Sequence, residues 1–197
     1  MRLVALTKPG SLSLFQIKII RKLVSIASHR RSSVKKNVVE KIKLDQLDLY
    51  RIIPNKISDE KKILFFHGGG FFIGNFKIYR NYVSFLAEVI SREIIFVEYN
   101  LGPESKYPSQ LEQAKKAYSF ILEKCNASHI ILAGDSAGGN LALALLLALK
   151  KDKSKKPKGI FCISPWVNPT ALSEEYPDSF CESDVLIGPF IKRAKET

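Results

Sequence analysis

The chain has 197 residues, 46% of them apolar, with 31 Lys and Arg against 19 Asp and Glu and a formal net charge of +12. That length suits one domain with a sizeable core, and the ordinary apolar content excludes a disordered chain. Three scattered cysteines (Cys125, Cys162, Cys181) exclude a disulfide scaffold and point to reduced thiols in a cytoplasmic setting, while the longest apolar run, residues 141–149, is far short of the ~20 needed to span a bilayer.

The basic excess sits at the front. Residues 1–62 carry 15 basic and 5 acidic side chains, residues 63–197 carry 16 and 14, and no acidic residue precedes Glu40. Within residues 1–36, Leu12, Phe15, Ile19, Leu23 and Ile26 recur at helical spacing, which predicts an amphipathic helix with Lys18, Arg21 and Lys22 facing away from its apolar stripe. Pro9-Gly10 breaks the chain ahead of it, and Ser13 with Gln16 has the form of a capping box. Three readings stand open: a helix docked on the body of the protein, a helix lying on an anionic membrane surface through residues 11–31, or an organelle import segment. Lysines and Arg21 interrupt any stretch that could serve as a secretory signal. The basic residues come with no nucleic-acid-binding motif, so a nucleic-acid partner is not expected.

After a basic linker at residues 30–36, residues 38–44 and 47–53 read as two strands of a hairpin around Asp45-Gln46. Residues 63–67 form a short apolar strand running into Gly68-Gly69-Gly70. Residues 80–91 read as a helix with Val83, Leu86, Ala87 and Ile90 on one face, and residues 94–99 as a buried strand. Ser109 is the expected cap of a helix reaching residue 124. A strand at 130–133 ends at Gly134, and residues 139–149 form a helix that is apolar all round and should lie in the core. Residues 160–164 are a further strand, and 188–197 the start of a helix. Strands buried on both faces and alternating with helices predict an α/β fold over residues 37–197, a mostly parallel sheet flanked by helices with the hairpin at one edge.

Two segments carry chemistry. Gly134-Asp135-Ser136-Ala137-Gly138 is G-x-S-x-G placed between a strand and a helix, where a sharp turn lifts a serine hydroxyl above the sheet. Ser136 is the candidate nucleophile, with Gly134, Asp135 and Gly138 shaping the corner. His67-Gly68-Gly69-Gly70 follows an earlier strand. The amides of Gly69 and Gly70, with that of Ala137 at the start of the helix, form the candidate oxyanion hole, and His67 and Gly68 support the loop.

These residues, with HGGGFF at 67–72, YNLGPE at 99–104, YPSQLEQA at 107–114, GDSAGGN at 134–140 and SPW at 164–166, resemble the hormone-sensitive-lipase-like branch of the α/β-hydrolases from about residue 60 onward. The resemblance implies a carboxylic ester hydrolase acting on small-molecule esters without metal or cofactor. It also implies a cap role for the N-terminal helix. Asn100, Gly102, Gln113 and Asn168 depart from the residues usual at these positions.

In this fold the triad runs Ser, then Asp or Glu, then His. No histidine follows Ser136, and the expected late acid and histidine segments are absent, so the chain reads as C-terminally truncated. His129 lies at the far end of its strand, roughly 23 Å from Ser136 at about 3.3 Å per residue. His29 lies in the basic segment, and His67 belongs to the glycine loop. Losing a triad histidine in a comparable enzyme lowers kcat by about 10⁶, so this chain alone is expected to be nearly inactive. Three readings follow: an ester hydrolase seen in part, an inactive remnant that binds an acyl ligand or a partner protein, and a protein completed by a second chain. Oligomeric state is not legible.

Overall fold

The computed structural model describes residues 14–27 and 37–167. The expectations at Pro9-Gly10, Leu12, Ser13, His29, Asn168, Cys181, the linker 30–36 and the helix 188–197 lie outside them. By its contacts the chain divides into two compact units, Arg21–Trp166 and a second comprising Met1–Ile20 with Val167–Thr197. The sheet and its helices belong to the first.

Strands β1 (Val38–Leu44) and β2 (Leu47–Ile53) form the expected hairpin, with Asp45 taking φ 54° at the turn. They are followed by β3 (Lys62–Phe66), α2 (Phe76–Ile90), β4 (Glu93–Glu98), α3 (Ser109–Leu122), β5 (Ile130–Asp135), α4 (Ala137–Lys151) and β6 (Gly159–Ile163); helix α1 (Leu14–Ala27) precedes them all. The strand order is β1-β2-β4-β3-β5-β6. The hairpin joins antiparallel to β4, and β4, β3, β5 and β6 run parallel. This is the predicted α/β fold, with its antiparallel strands at one edge.

Alternation along the central strands divides the core in two. In β3, Leu64 and Phe66 pack with Val97, Leu132 and the buried faces of α3 and α4. Ile63 and Phe65 point the other way and pack with Phe96 and with Phe76, Val83 and Ala87 of α2. The sheet is therefore covered on both faces, which is why its strands read as continuous apolar runs.

Several boundaries differ from expectation for local reasons. Helix α2 starts four residues early because the Asn75 side chain accepts from the Ile78 amide at 3.0 Å and caps it there. Helix α3 is preceded by Pro108 without a side-chain cap, so Ser109 is its first residue rather than its cap. Strand β5 runs on to Asp135 and α4 begins at Ala137, leaving Ser136 alone at the corner. Helix α4 buries Leu141, Ala142, Leu145 and Leu149, but Leu147 on the other side is 66% exposed, so it is not enclosed all round by the described residues.

Helix α1 forms, and its apolar stripe is turned outward. Phe15, Ile19, Leu23 and Ile26 are exposed, whereas Ile17, Ile20, Arg21 and Val24 are half-buried. Arg21, expected to face away, is turned inward. The reason is polar: its guanidinium finds acceptors that an apolar side chain could not use.

Candidate active site

The chain turns sharply at Ser136, with φ 49° and ψ −119° between the end of β5 and the start of α4. Positive φ is uncommon for a residue with a Cβ, and such strain persists only where the surroundings fix it. Here they do. The Ser136 amide donates to the Ile163 carbonyl at 3.0 Å, and the Ser136 carbonyl accepts from Asn140 at 3.1 Å and Trp166 at 3.0 Å. The Asn140 side chain donates in turn to the Trp166 carbonyl at 2.7 Å. The Ser164–Trp166 segment thus braces the corner from the neighbouring strand, a role its sequence alone did not reveal.

Gly138 lets α4 settle against the end of β3. A Cβ there would stand 2.0 Å from the Phe66 carbonyl oxygen and 2.5 Å from that of His67. This close approach brings the corner beside the loop that leaves β3. In that loop Gly69, Gly70 and Phe71 all take positive φ (109°, 61° and 63°), and the Gly69 carbonyl accepts from Phe72 and Ile73. Among the described residues, the loop's hydrogen bonds spend the Gly68 amide and leave out the amides of Gly69, Gly70 and Ala137. Ala137 opens α4, where helix geometry leaves the first N–H groups without intrahelical partners and gives that end a partial positive charge.

His67 is fully buried, its ring stacked on Tyr99 at 4.2 Å between centroids. Its Nδ1 lies 2.8 Å from the Gly68 carbonyl oxygen. A carbonyl only accepts, so Nδ1 carries the proton, and the buried Nε2 has no partner among the described residues. Burial pushes the imidazole down to about 4, against a smaller upward pull from Gly68, so His67 is neutral near pH 7. The Tyr99 hydroxyl donates to the His67 carbonyl at 2.5 Å. The role expected for His67, holding the loop through hydrogen bonds, accords with these contacts.

Asp135 turns its carboxylate away from the Ser136 corner and into the glycine loop. Its Oδ1 accepts from the Gly68 amide at 3.0 Å and its Oδ2 from the Tyr79 hydroxyl at 2.7 Å. Burial raises the Asp135 carboxyl above the usual range, and these hydrogen bonds oppose that shift. Tyr79 was not singled out from the sequence; it lies on α2 with nothing in its surroundings to mark it.

The loop between β4 and α3 meets the same region. The Gly102 amide donates to the Phe71 carbonyl at 2.8 Å. Gln113 accepts from the Asn100 amide at 2.7 Å, and Gln110 donates to the Asn100 and Ser105 carbonyls. Asn100, Gly102 and Gln113, the departures from the usual motif, therefore still serve the loop's own hydrogen bonding. Arg21 ties the loops together from α1: Nε donates to the Phe72 carbonyl at 2.7 Å, Nη2 to the Gly102 carbonyl, and the fork to Glu104.

His129 lies just before β5, at the end opposite Ser136, with Nδ1 3.4 Å from Glu60. A cleft of about 490 Å³ there includes Arg51, Asp59, Lys62, Glu93 and His129. Of its acids, Asp59 is paired with Lys61 and Arg92, and Glu93 with Arg51 and Lys62. No group of three metal-ligating side chains occurs among the described residues, and no described helix is long and apolar enough to cross a membrane. Cys125 and Cys162 are free thiols.

Comparison with known proteins gives the family and the fold. The family profile described as alpha/beta hydrolase fold matches residues 63–193. An acetyl-hydrolase from Streptomyces hygroscopicus is 36% identical over 112 residues, which are 56% of this chain and 38% of that protein. Human hormone-sensitive lipase is 34% identical over 108 residues, 52% of this chain and 10% of that protein. The solved structure of an esterase from the bacterial hormone-sensitive lipase family superimposes with a TM-score of 0.81 at 25% identity, covering 95% of this chain and 62% of that one. The match spans about 40% of the length of the acetyl-hydrolase and of an esterase from Acinetobacter venetianus, and less of the longer hormone-sensitive lipases.

Proposed function

Since the chain belongs to the alpha/beta-hydrolase fold family, in the branch related to hormone-sensitive-lipase-type esterases, we propose that it carries the nucleophile and oxyanion hole of a carboxylic ester hydrolase. The observation that carries this reading is the isolated corner at Ser136, at positive φ between β5 and α4 and beside a loop of three positive-φ residues.

In the proposed reaction Ser136 Oγ attacks the ester carbonyl carbon and gives up its proton to a base. The carbonyl oxygen becomes an oxyanion and accepts from the amides of Gly69, Gly70 and Ala137. Collapse expels the alcohol, which takes the proton held by the base, and leaves an acyl-serine, which water hydrolyses to the acid and free serine. Neither described histidine suits the base. The His67 Nδ1–H is committed to Gly68 within a sealed ring stack, and His129 lies at the other end of β5. Asp135 is committed to Gly68 and Tyr79. We therefore assign the acid and the base to groups outside the described residues. Helix α1 is proposed as a cap element, held by Arg21 with Leu23 and Ile26 exposed as apolar surface for an acyl chain.

The test is covalent labelling with a fluorophosphonate and hydrolysis of short p-nitrophenyl esters, each repeated with Ser136→Ala. In the chain completed by its acid and base, labelling at Ser136 that disappears in the variant is expected. Hydrolysis that survives Ser136→Ala unchanged overturns the assignment.

A further inference from the structure

We infer that Tyr79 and Asp135 form a latch that holds the glycine loop in register with the Ser136 corner, which makes Tyr79 a positioning residue for the reaction; this rests on the ester-hydrolase reading above. The argument begins with strand register. Parallel pairing sets Phe66 of β3 beside Gly134 of β5, so the residues just beyond, Gly68 and Asp135, leave the sheet side by side. Three groups then close a triangle. Asp135 Oδ1 accepts from the Gly68 amide at 3.0 Å, Asp135 Oδ2 accepts from the Tyr79 hydroxyl at 2.7 Å, and the Tyr79 oxygen accepts from the same Gly68 amide at 3.0 Å.

The triangle joins three separate pieces of the site: the residue immediately before the nucleophile, the first residue of the oxyanion loop after His67, and the first turns of the helix into which that loop runs. It also explains why position 68 is glycine. A Cβ there would lie 2.4 Å from Asp135 Oδ2 and 3.1 Å from the Tyr79 hydroxyl, so any side chain displaces the latch. Because the Gly68 amide is spent on the latch, the next two amides, of Gly69 and Gly70, are the ones free to meet an oxyanion.

Packing alone does not account for these residues. The Tyr79 ring sits among Phe65, His67 and Phe96, where a phenylalanine would pack as well. A half-buried carboxylate is disfavoured by desolvation and needs its partners. The hydroxyl and the carboxylate each find in the other, and in Gly68, what burial denies them. Loss of one aligned oxyanion donor typically lowers rate by about 10²–10³, so a loop that slips from register has a measurable consequence.

The test uses the full chain with Tyr79→Phe, Asp135→Ala and Asp135→Asn, read two ways: amide hydrogen exchange across residues 67–73 and the rate of Ser136 phosphonylation by a fluorophosphonate. Tyr79→Phe should speed exchange in the loop and slow phosphonylation, each by about tenfold, while exchange in α3 stays unchanged. Asp135→Ala should do more, and Asp135→Asn less, since its carbonyl still accepts from Gly68. Adding Tyr79→Phe to Asp135→Ala should slow phosphonylation little further. Unchanged loop exchange in Tyr79→Phe and Asp135→Ala overturns the latch. Faster exchange with an unaltered phosphonylation rate, or a lowered Tm with both readouts unaltered, overturns the positioning role. If wild-type Ser136 does not react even in the chain completed by its acid and base, the ester-hydrolase reading falls, and loop exchange still decides the latch.

Discussion

Arg21 and Glu104 stand 83 residues apart in sequence and meet as a two-pronged ion pair, Nη1 to Oε1 at 2.8 Å and Nη2 to Oε2 at 3.1 Å. The same guanidinium also donates to the carbonyls of Phe72 and Gly102, so one side chain joins α1, the oxyanion loop and the loop before α3. An exposed ion pair alone contributes at most about 1 kcal/mol, but hydrogen bonds to two further carbonyls raise the expected cost of Arg21→Ala to about 1–2 kcal/mol. Arg21→Lys should recover only part of it, because an ammonium cannot reproduce the planar fork. Urea unfolding of the three proteins checks this order; full recovery by lysine would show that charge alone matters.

The corner at Ser136 makes a second prediction. At φ 49° a Cβ is strained, and glycine is not. Ser136→Gly should therefore be more stable than Ser136→Ala by about 1 kcal/mol, after allowing for the greater freedom of glycine in the unfolded chain. Both variants should be unreactive to fluorophosphonate. Equal stability in chemical denaturation would mean that the corner stores no strain.

His67 supplies a pH dependence whose sign is fixed by its burial. Folded, it takes a proton only near pH 4, whereas the ordinary value is 6.5. As pH falls, the unfolded chain is protonated first, so the contribution is complete above pH 6.5 and is lost progressively down to about pH 4. The loss is about 3 kcal/mol. Asp135 and Glu98, whose carboxyls are raised by burial, act in the opposite direction over acid pH. The comparison is therefore a difference: Tm against pH for wild type and for His67→Phe, which keeps the ring stack on Tyr99. Wild type should lose more stability than the variant between pH 6.5 and 4, and parallel curves would refute the buried neutral imidazole.

The strands were legible because burial on both faces leaves runs such as 94–97 with no polar residue, and turn residues bound them. Ser136 and the glycine loop were legible because their backbone demands glycines in a fixed order. Tyr79 and Arg21 were not. A tyrosine within an amphipathic helix looks like core, and an arginine beside lysines looks like solvated surface. Their partners, Asp135 and Glu104, are 56 and 83 residues away, and only the folded chain brings them together. The outward faces of α1 and α4 were not decided by the sequence for a related reason: apolar periodicity shows that a stripe exists, not which residues cover it.

Gly138 is the strictest steric test of how the corner is packed. A Cβ there would meet the Phe66 carbonyl oxygen at 2.0 Å and the His67 carbonyl oxygen at 2.5 Å, both backbone atoms of the segment leaving β3. Neither can yield without moving the strand end, so α4 must lift away from β3, which opens the core beneath Leu141 and Leu145 and drags the oxyanion loop with it. Gly138→Ala should cost on the order of 3 kcal/mol, at the upper end of what overpacking does. Gly159, at the start of β6, has nothing within 4 Å of its Cβ position, and Gly159→Ala should change stability by less than about 0.5 kcal/mol. Denaturant midpoints of the two variants distinguish them directly. A tolerated Gly138→Ala would mean that the helix does not rest on β3, and the support for Ser136 and for the amides beside it would have to come from elsewhere.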